Sequence, residues 1–118
     1  MSNRVVKYID PSGILDGTKA TSFRQEISEQ VDAGADVIVI DFKEVTFMDS
    51  SGLGALVLAL KTVRAAGCQL VVCSINEQIR ILFELTSMDR VFEIFPNREE
   101  FEKATIETNT NLQHQSKS

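Results

Sequence analysis

The residues best placed for chemistry lie in one short segment, Asp49, Ser50, Ser51 and Gly52. Two hydroxyls follow a carboxylate there, after an apolar stretch and at the start of a predicted helix. A helix N-terminus carries unpaired N–H groups and the positive end of the helix dipole, so it favours an anion such as a phosphate. Serine or aspartate at such a position most often acts only as an N-cap, which contributes about 1 kcal/mol. Both roles stay open at this point.

The two glycines near the start of this predicted helix indicate that the segment does more than cap the helix. Gly52 and Gly54 each cost up to about 1 kcal/mol relative to alanine inside a helix, so a gain in close approach or shape is expected. They could also begin a dinucleotide-binding fingerprint, but Val57 occupies the third glycine position. Lys61 is preceded by Leu60 rather than by glycine, so the helix does not begin with a phosphate-binding P-loop.

The sequence contains few residues that could form a catalytic site or a metal site. A serine hydrolase would need glycines at alternate positions around its nucleophile and a histidine base, and the single histidine, His114, lies in a polar segment. Cys68 and Cys73 are separated by about 16 Å in an extended chain, which is too far for a disulfide. We predict two buried free thiols, no metal site, no cofactor and no enzyme activity.

Charge and hydropathy exclude further classes of function. With 118 residues, 43% hydrophobic and 25% charged, the chain is composed like one soluble globular domain. The net charge of −5 repels nucleic-acid phosphates, so we predict no direct nucleic-acid binding. The longest apolar stretch, Leu53 to Leu60, is far shorter than the roughly 20 residues that cross a bilayer, and the first residues lack a signal-peptide pattern. We expect no membrane insertion and a cytoplasmic location.

The elements that must position the serines alternate between strand and helix. Apolar runs predict strands at Val5 to Ile9, Val37 to Ile40, Gln69 to Cys73 and Phe92 to Phe95, with a shorter apolar piece at Val45 to Met48. Helical periodicity predicts helices at Thr18 to Ala33, Leu53 to Ala65, from Ile79 and after Pro96. The connections are too long for hairpins, so we predict an α/β domain with a four- to five-stranded, mostly parallel sheet and about four helices.

Two loops of this arrangement are candidates for a site. Functional residues of parallel sheets lie beyond the carboxyl ends of the strands, which selects Ile14 to Thr18 and Met48 to Gly54. The first loop follows Asp10-Pro11-Ser12-Gly13, which has the composition of a turn. The charged run from Arg98 to Lys103 is typical of a solvated helix face. A polar tail is predicted to be disordered over 108–118, which leaves a domain of 4–107.

The segment from Val37 to Cys73 resembles the bacterial anti-sigma factor antagonists of the STAS domain family. The resemblance is carried by Phe-Met-Asp-Ser-Ser-Gly-Leu-Gly at 47–54 and Leu-Val-Val-Cys at 70–73. It covers about residues 4–105 and continues through Arg80-Ile81-Leu82-Phe83-Glu84-Leu85-Thr86. The resemblance implies a single STAS-like domain.

The resemblance also implies a function for the serine motif. In that family the first serine of the motif is phosphorylated by a partner serine/threonine kinase that is also the anti-sigma factor, and Ser50 holds that position here. The unphosphorylated form is expected to bind the kinase and release sigma factor; phosphorylation breaks the complex until a serine phosphatase restores it. Asp16 matches an acidic residue of a neighbouring loop. The expected partner-binding surface comprises Asp16, Asp49, Ser50, Ser51, Gly52, Leu53 and Gly54.

Two opposing effects predict what a phosphate on Ser50 would do. The phosphate adds about 1.5 to 2 negative charges, which the helix N-terminus favours by about 0.3 to 1 kcal/mol. Against a docked partner, the same charge must be desolvated, and a mismatched charge there costs several kcal/mol. We therefore expect phosphorylation to abolish binding without unfolding the domain.

Two other functions remain open. One is a non-switching STAS scaffold subunit of a larger assembly, such as a lipid-transport complex, in which the serine is only a cap. Co-purification with a transporter ATPase would favour that function. The other is a nucleotide-binding module that uses the same helix N-terminus, which calorimetric heat with ATP or GTP would support.

Overall fold

Strands and helices alternate along residues 4–105, the part of the chain that this computed structural model describes. The strands are β1 (Val6–Ile9), β2 (Ser12–Leu15), β3 (Val37–Asp41), β4 (Glu44–Met48), β5 (Gln69–Cys73) and β6 (Glu93–Phe95). The helices are α1 (Ala20–Asp32), α2 (Ser50–Ala65), α3 (Glu77–Leu85) and α4 (98–105), with short 3₁₀ turns at Gly17–Lys19 and Met88–Arg90. The predicted α/β class and the four helices are confirmed.

The central sheet has the strand order β1-β3-β5-β6, and every pairing in it is parallel. Each residue of β3 is buried, as its unbroken β-branched run predicts. Alternate residues face opposite sides. Ile38, Ile40, Leu70 and Val72 pack in the main core with α1, α2 and α3, whereas Val37, Val39, Val71 and Cys73 pack with Phe101 of α4.

A second sheet of two parallel strands, β2 and β4, carries both loops of interest. The prediction that Ser12 belongs to a turn is wrong, because Ser12–Leu15 is a strand. Gly13 has a φ of +73° within this strand, and the register shifts beside it. Leu15 is buried in the main core and pairs with Met48. The strands thus divide between two sheets instead of forming the single predicted one.

Helix α4 is tied to the central sheet by the Arg98 cluster, which we define as Tyr8, Asp10, Asp41, Arg98 and Glu102. The Arg98 Nη2 atom lies 2.6 Å from Asp10 and 3.3 Å from Asp41, whose side chain is only 2% exposed. The guanidinium lies 4.1 Å from the centroid of the Tyr8 ring, and the Tyr8 hydroxyl donates to Glu102 at 2.8 Å. Arg98 therefore belongs to a partly buried cluster and not to a solvated helix face.

Several predictions concern residues at the margins of the fold. Both cysteines are free, but only Cys73 is buried; Cys68 is half-buried, which corrects the prediction for that thiol. The predicted tail at 108–118, its histidine and the last two residues of the predicted domain lie outside the described residues. None of the helices within 4–105 combines the length and apolar character that a membrane crossing requires.

Candidate functional site

Asp49 caps the N-terminus of α2. It has an extended backbone, at φ −104° and ψ −176°, and its Oδ1 atom accepts a hydrogen bond from the Gly52 N–H at 2.9 Å. Its carbonyl oxygen accepts from the Leu53 N–H at 2.9 Å, which begins the helical ladder. The cap that the sequence left undecided is thus the aspartate, and neither serine is needed for it.

Ser50 and Ser51 are the first two residues of α2, and both are exposed. Within residues 4–105, no hydrogen bond occupies either hydroxyl. A Cβ atom placed on Gly17 would lie 3.5 Å from the Cβ of Ser51, so the loop after β2 approaches the helix at that serine. The result is a pair of accessible hydroxyls at the positive end of a helix.

Gly52 lets the two loops meet. A Cβ atom on Gly52 would lie 2.1 Å from the carbonyl oxygen of Leu15, closer than any side chain allows. The Asp49 N–H also points to that oxygen, at 3.4 Å. The expected close approach is therefore present at Gly52. It is absent at Gly54, where a Cβ atom would meet no atom of residues 4–105 within 4 Å, so the expectation fails for the second glycine.

Asp16 lies directly after Leu15, on the loop that faces the serines. Its Oδ1 atom accepts from the N–H of Thr18 at 2.9 Å and from the Thr18 hydroxyl. These hydrogen bonds favour the carboxylate and lower the pKa of Asp16. The loop beside the serines therefore carries a fixed negative charge at neutral pH.

The seven predicted partner-binding residues are close in space but differ in exposure. Ser50, Ser51 and Gly54 are exposed, and Asp16 and Asp49 are half-buried. Gly52 and Leu53 are buried, so they offer little contact area.

An open groove with a volume of about 670 Å³ lies beside the two serines. One wall comes from the first turns of α1, with Ala20 and Arg24, and another from α2, with Leu53, Val57 and Leu58. Leu58 is 45% exposed and gives this wall an apolar surface. Within 4–105, no group of three or more histidine, cysteine, aspartate or glutamate side chains could hold a metal ion.

Gln78, which no sequence pattern predicted to be functional, contacts the segment just before the serines. Its Oε1 atom accepts from the Met48 N–H at 2.9 Å, and its Nε2 atom donates to the Met48 carbonyl oxygen at 2.8 Å. Nothing in the local sequence marks this glutamine, because its partner lies 30 residues earlier. Only the observation that α3 packs along β4 reveals it.

Comparisons with known proteins converge on one family. A sequence model of the STAS domain matches residues 2–101. An anti-sigma-B factor antagonist of Listeria monocytogenes is 34% identical over 84 residues, which cover 70% of this chain and 73% of that protein. An anti-sigma F factor antagonist of Paenibacillus polymyxa is 28% identical over 96 residues, which cover 80% of this chain and 82% of that one.

Solved structures share the fold. The unphosphorylated form of the anti-sigma factor antagonist SpoIIAA superposes with a TM-score of 0.71 at 21% identity, over 89% of this chain and 92% of that one. The phosphorylated form of the same Bacillus cell fate determinant gives a TM-score of 0.65 at 22% identity, over 88% and 95% of the two chains. At 21% and 22% identity, these comparisons show a shared fold and nothing further.

Proposed function

Because this chain belongs to the STAS domain family, we propose that it is an anti-sigma factor antagonist switched by phosphorylation of Ser50. The unphosphorylated form binds an anti-sigma factor that is also a serine/threonine kinase, and sigma factor is released. The kinase phosphorylates Ser50, the complex dissociates, and a serine phosphatase restores the starting form. These partners would act together in the cytoplasm.

The observation that supports the proposal best is the free hydroxyl of Ser50. It is exposed at the first position of α2 and has no hydrogen-bond partner within 4–105. Asp49 already caps the helix, so a kinase can modify the serine without removing the cap.

Local charge explains how the phosphate would act on a partner. The phosphate adds about 1.5 to 2 negative charges beside Asp49 and near the ionised Asp16. A surface that fits the neutral hydroxyl would have to desolvate this charge, at a cost of several kcal/mol. The domain itself tolerates it, because the helix N-terminus favours an anion. SpoIIAA, which shares the fold, has been solved in both phosphorylated and unphosphorylated forms.

The decisive experiment measures binding of Ser50 variants to the kinase. Candidate kinases of the source genome are incubated with the protein and ATP, and the phosphosite is mapped by mass spectrometry. With the kinase so identified, calorimetry should show wild-type affinity for Ser50→Ala and a loss of about tenfold or more for Ser50→Asp. Ser51→Asp is the matched control and should lose less.

Two outcomes would contradict the proposal. One is a Ser50→Asp variant that binds as tightly as wild type, and the other is a phosphate located on Ser51 alone. Circular dichroism on Ser50→Asp should show an unfolding midpoint close to that of wild type, because the new charge lies at a favourable helix end. A large drop in stability would instead mean that lost binding reflects unfolding.

A further inference from the structure

We propose that Gln78 is a positioning residue for Ser50, and that its side-chain amide fixes the backbone from which the serine is presented. The inference rests on the proposed function, because it concerns phosphorylation of that serine. Met48 is the last residue of β4 and lies two positions before Ser50.

The backbone around Met48 forms hydrogen bonds at both edges of β4. On one side, β4 pairs with β2, and the Asp49 N–H points to the Leu15 carbonyl oxygen at 3.4 Å. On the other side, both polar groups of Met48 face α3. The backbone N–H and C=O groups of successive strand residues point to opposite edges of the strand. The Met48 N–H and C=O groups therefore point away from β2 and cannot form hydrogen bonds with it.

Gln78 provides the acceptor and the donor that the backbone of a neighbouring strand would provide. Its Oε1 atom accepts from the Met48 N–H at 2.9 Å and its Nε2 atom donates to the Met48 carbonyl oxygen at 2.8 Å. A primary amide combines a donor and an acceptor in one plane, as a peptide group does. Both bonds are partly buried, so losing them would leave the two Met48 groups with little access to water.

Helix α3 does not need this glutamine for its own formation. Asn76 caps α3 by accepting from the Ile79 N–H at 2.9 Å, and its amide donates to the carbonyl oxygens of Val45 and Thr46. Asn76 therefore docks the helix on β4. The only hydrogen bonds of the Gln78 side chain within 4–105 are the two to Met48.

A rotation of the Met48 peptide would be transmitted directly to Ser50. Asp49 follows Met48 and caps α2, so the direction of this peptide sets where the helix begins. Displacing a reacting atom by about 1 Å can lower a rate by about a hundredfold. Gln78 is thus expected to affect the rate of phosphorylation at Ser50 more than the affinity for the kinase, whose contact surface it leaves in place.

The test combines amide hydrogen exchange with phosphorylation kinetics. In wild type, the Met48 amide should exchange slowly, as strand amides do. Gln78→Met, which keeps the length and removes both bonds, should speed that exchange. Gln78→Glu keeps the acceptor for the Met48 N–H and loses only the donor to the Met48 carbonyl oxygen, so it should speed the exchange less. With the kinase that phosphorylates wild type, both variants should lower kcat by about tenfold to a hundredfold, with KM changed much less.

Two matched variants separate positioning from general effects. Gln25→Met changes an exposed glutamine of α1 in the same way and should leave kcat unchanged. Val63→Ala weakens the core at the far end of α2, where the side chain is fully buried, and should reduce stability but not kcat. If Val63→Ala lowers kcat as much as the Gln78 variants do, the effect on kcat comes from reduced stability, and the inference is wrong.

The remaining outcomes distinguish this inference from the proposed function. If wild type is phosphorylated on Ser50 and both Gln78 variants keep its kcat, only the positioning role is wrong. If the Met48 amide of wild type exchanges as freely as an unprotected amide, the positioning role is also wrong, and no variant needs to fold for that result. If wild type is not phosphorylated on Ser50 at all, the proposed function fails and takes this inference with it.

Discussion

Two glycines near the start of α2 have opposite surroundings. Gly52 is buried, and a Cβ atom there would lie 2.1 Å from the Leu15 carbonyl oxygen and 2.8 Å from its carbon. These are backbone atoms of a strand that pairs with β4, so they cannot move aside like the end of a flexible side chain. Gly54 is exposed, and a Cβ atom there would have no neighbour within 4 Å in the described part of the chain. The same residue type is therefore required at one position and only tolerated at the other.

Alanine should lower stability at Gly52 and should not lower it at Gly54. Gly52→Ala forces β2 away from α2, and we expect a loss of about 3 kcal/mol, the upper end for overpacking. Gly54→Ala removes only the low helix propensity of glycine and should be neutral or add up to about 1 kcal/mol. Urea unfolding followed by circular dichroism measures both. Equal stability of the two variants would refute the close contact between Gly52 and Leu15.

The candidate site could be located from sequence because most of its members are neighbours in the chain. Asp49, Ser50 and Gly52 lie together between a strand and a helix, so the motif and its element context are visible at once. Gln78 could not be found in this way. Its role depends on α3 packing along β4, and a glutamine in the first turn of a helix carries no signal of such a contact.

At the scale of elements, the same distinction explains what the sequence shows of the fold. The strand β3 is buried throughout, and its first four residues form an unbroken apolar run, so its pattern alone identifies it. The strand β2 has four residues with a proline before them and a glycine within, which is turn composition. Its identity comes from pairing with β4, a partner that is distant in sequence. Short strands stabilised by distant partners are invisible to local periodicity.

Helix α4 contains a second case in which packing overrides local composition. Arg98 begins a run of charged residues, yet its guanidinium reaches the buried Asp41 and lies over the ring of Tyr8. The buried Nε atom of Arg98 has no hydrogen-bond partner among residues 4–105, so the pairing is imperfect there. A buried carboxylate that loses its cation is destabilising even where the intact pair contributes little.

Removing the Arg98 guanidinium should loosen α4 from the central sheet. In Arg98→Met the buried carboxylate of Asp41 loses its cation, and we expect a stability loss of about 2 kcal/mol, below the range for fully buried pairs because Arg98 is partly exposed. Lys103→Met is the matched control, since its pair with Glu100 is exposed and should be worth less than about 0.5 kcal/mol. Equal urea midpoints for the two variants would show that the Asp41 contact is unimportant.

At the scale of the whole molecule, the Arg98 cluster joins the two ends of the described chain. Tyr8 lies in the first strand and Glu102 in the last helix, 94 residues later. Burial and the hydrogen bond to Glu102 raise the pKa of Tyr8 to about 12, because an ionised phenol would be poorly solvated and would face a carboxylate. The fold thus favours the neutral phenol, and docking of α4 becomes linked to its protonation.

This linkage predicts a loss of stability at alkaline pH. Because the folded-state pKa exceeds the ordinary value of 10.0, the contribution of Tyr8 is complete below about pH 10 and is lost as pH rises through about 12. The chain has one tyrosine and no tryptophan, so the ultraviolet absorbance of tyrosinate reports Tyr8 alone. The native protein should titrate near pH 12 and the urea-unfolded chain near pH 10.

Variants of the two partners identify the origin of the raised pKa. Glu102→Gln removes the negative charge that faces the phenol, so the native titration midpoint should fall towards the value of the unfolded chain. Tyr8→Phe should lose stability less steeply than wild type between about pH 10 and 12, because no phenol remains to ionise. A native midpoint that coincides with the unfolded one would mean that Tyr8 is free of Glu102, and that α4 does not join the two ends of the domain through this bond.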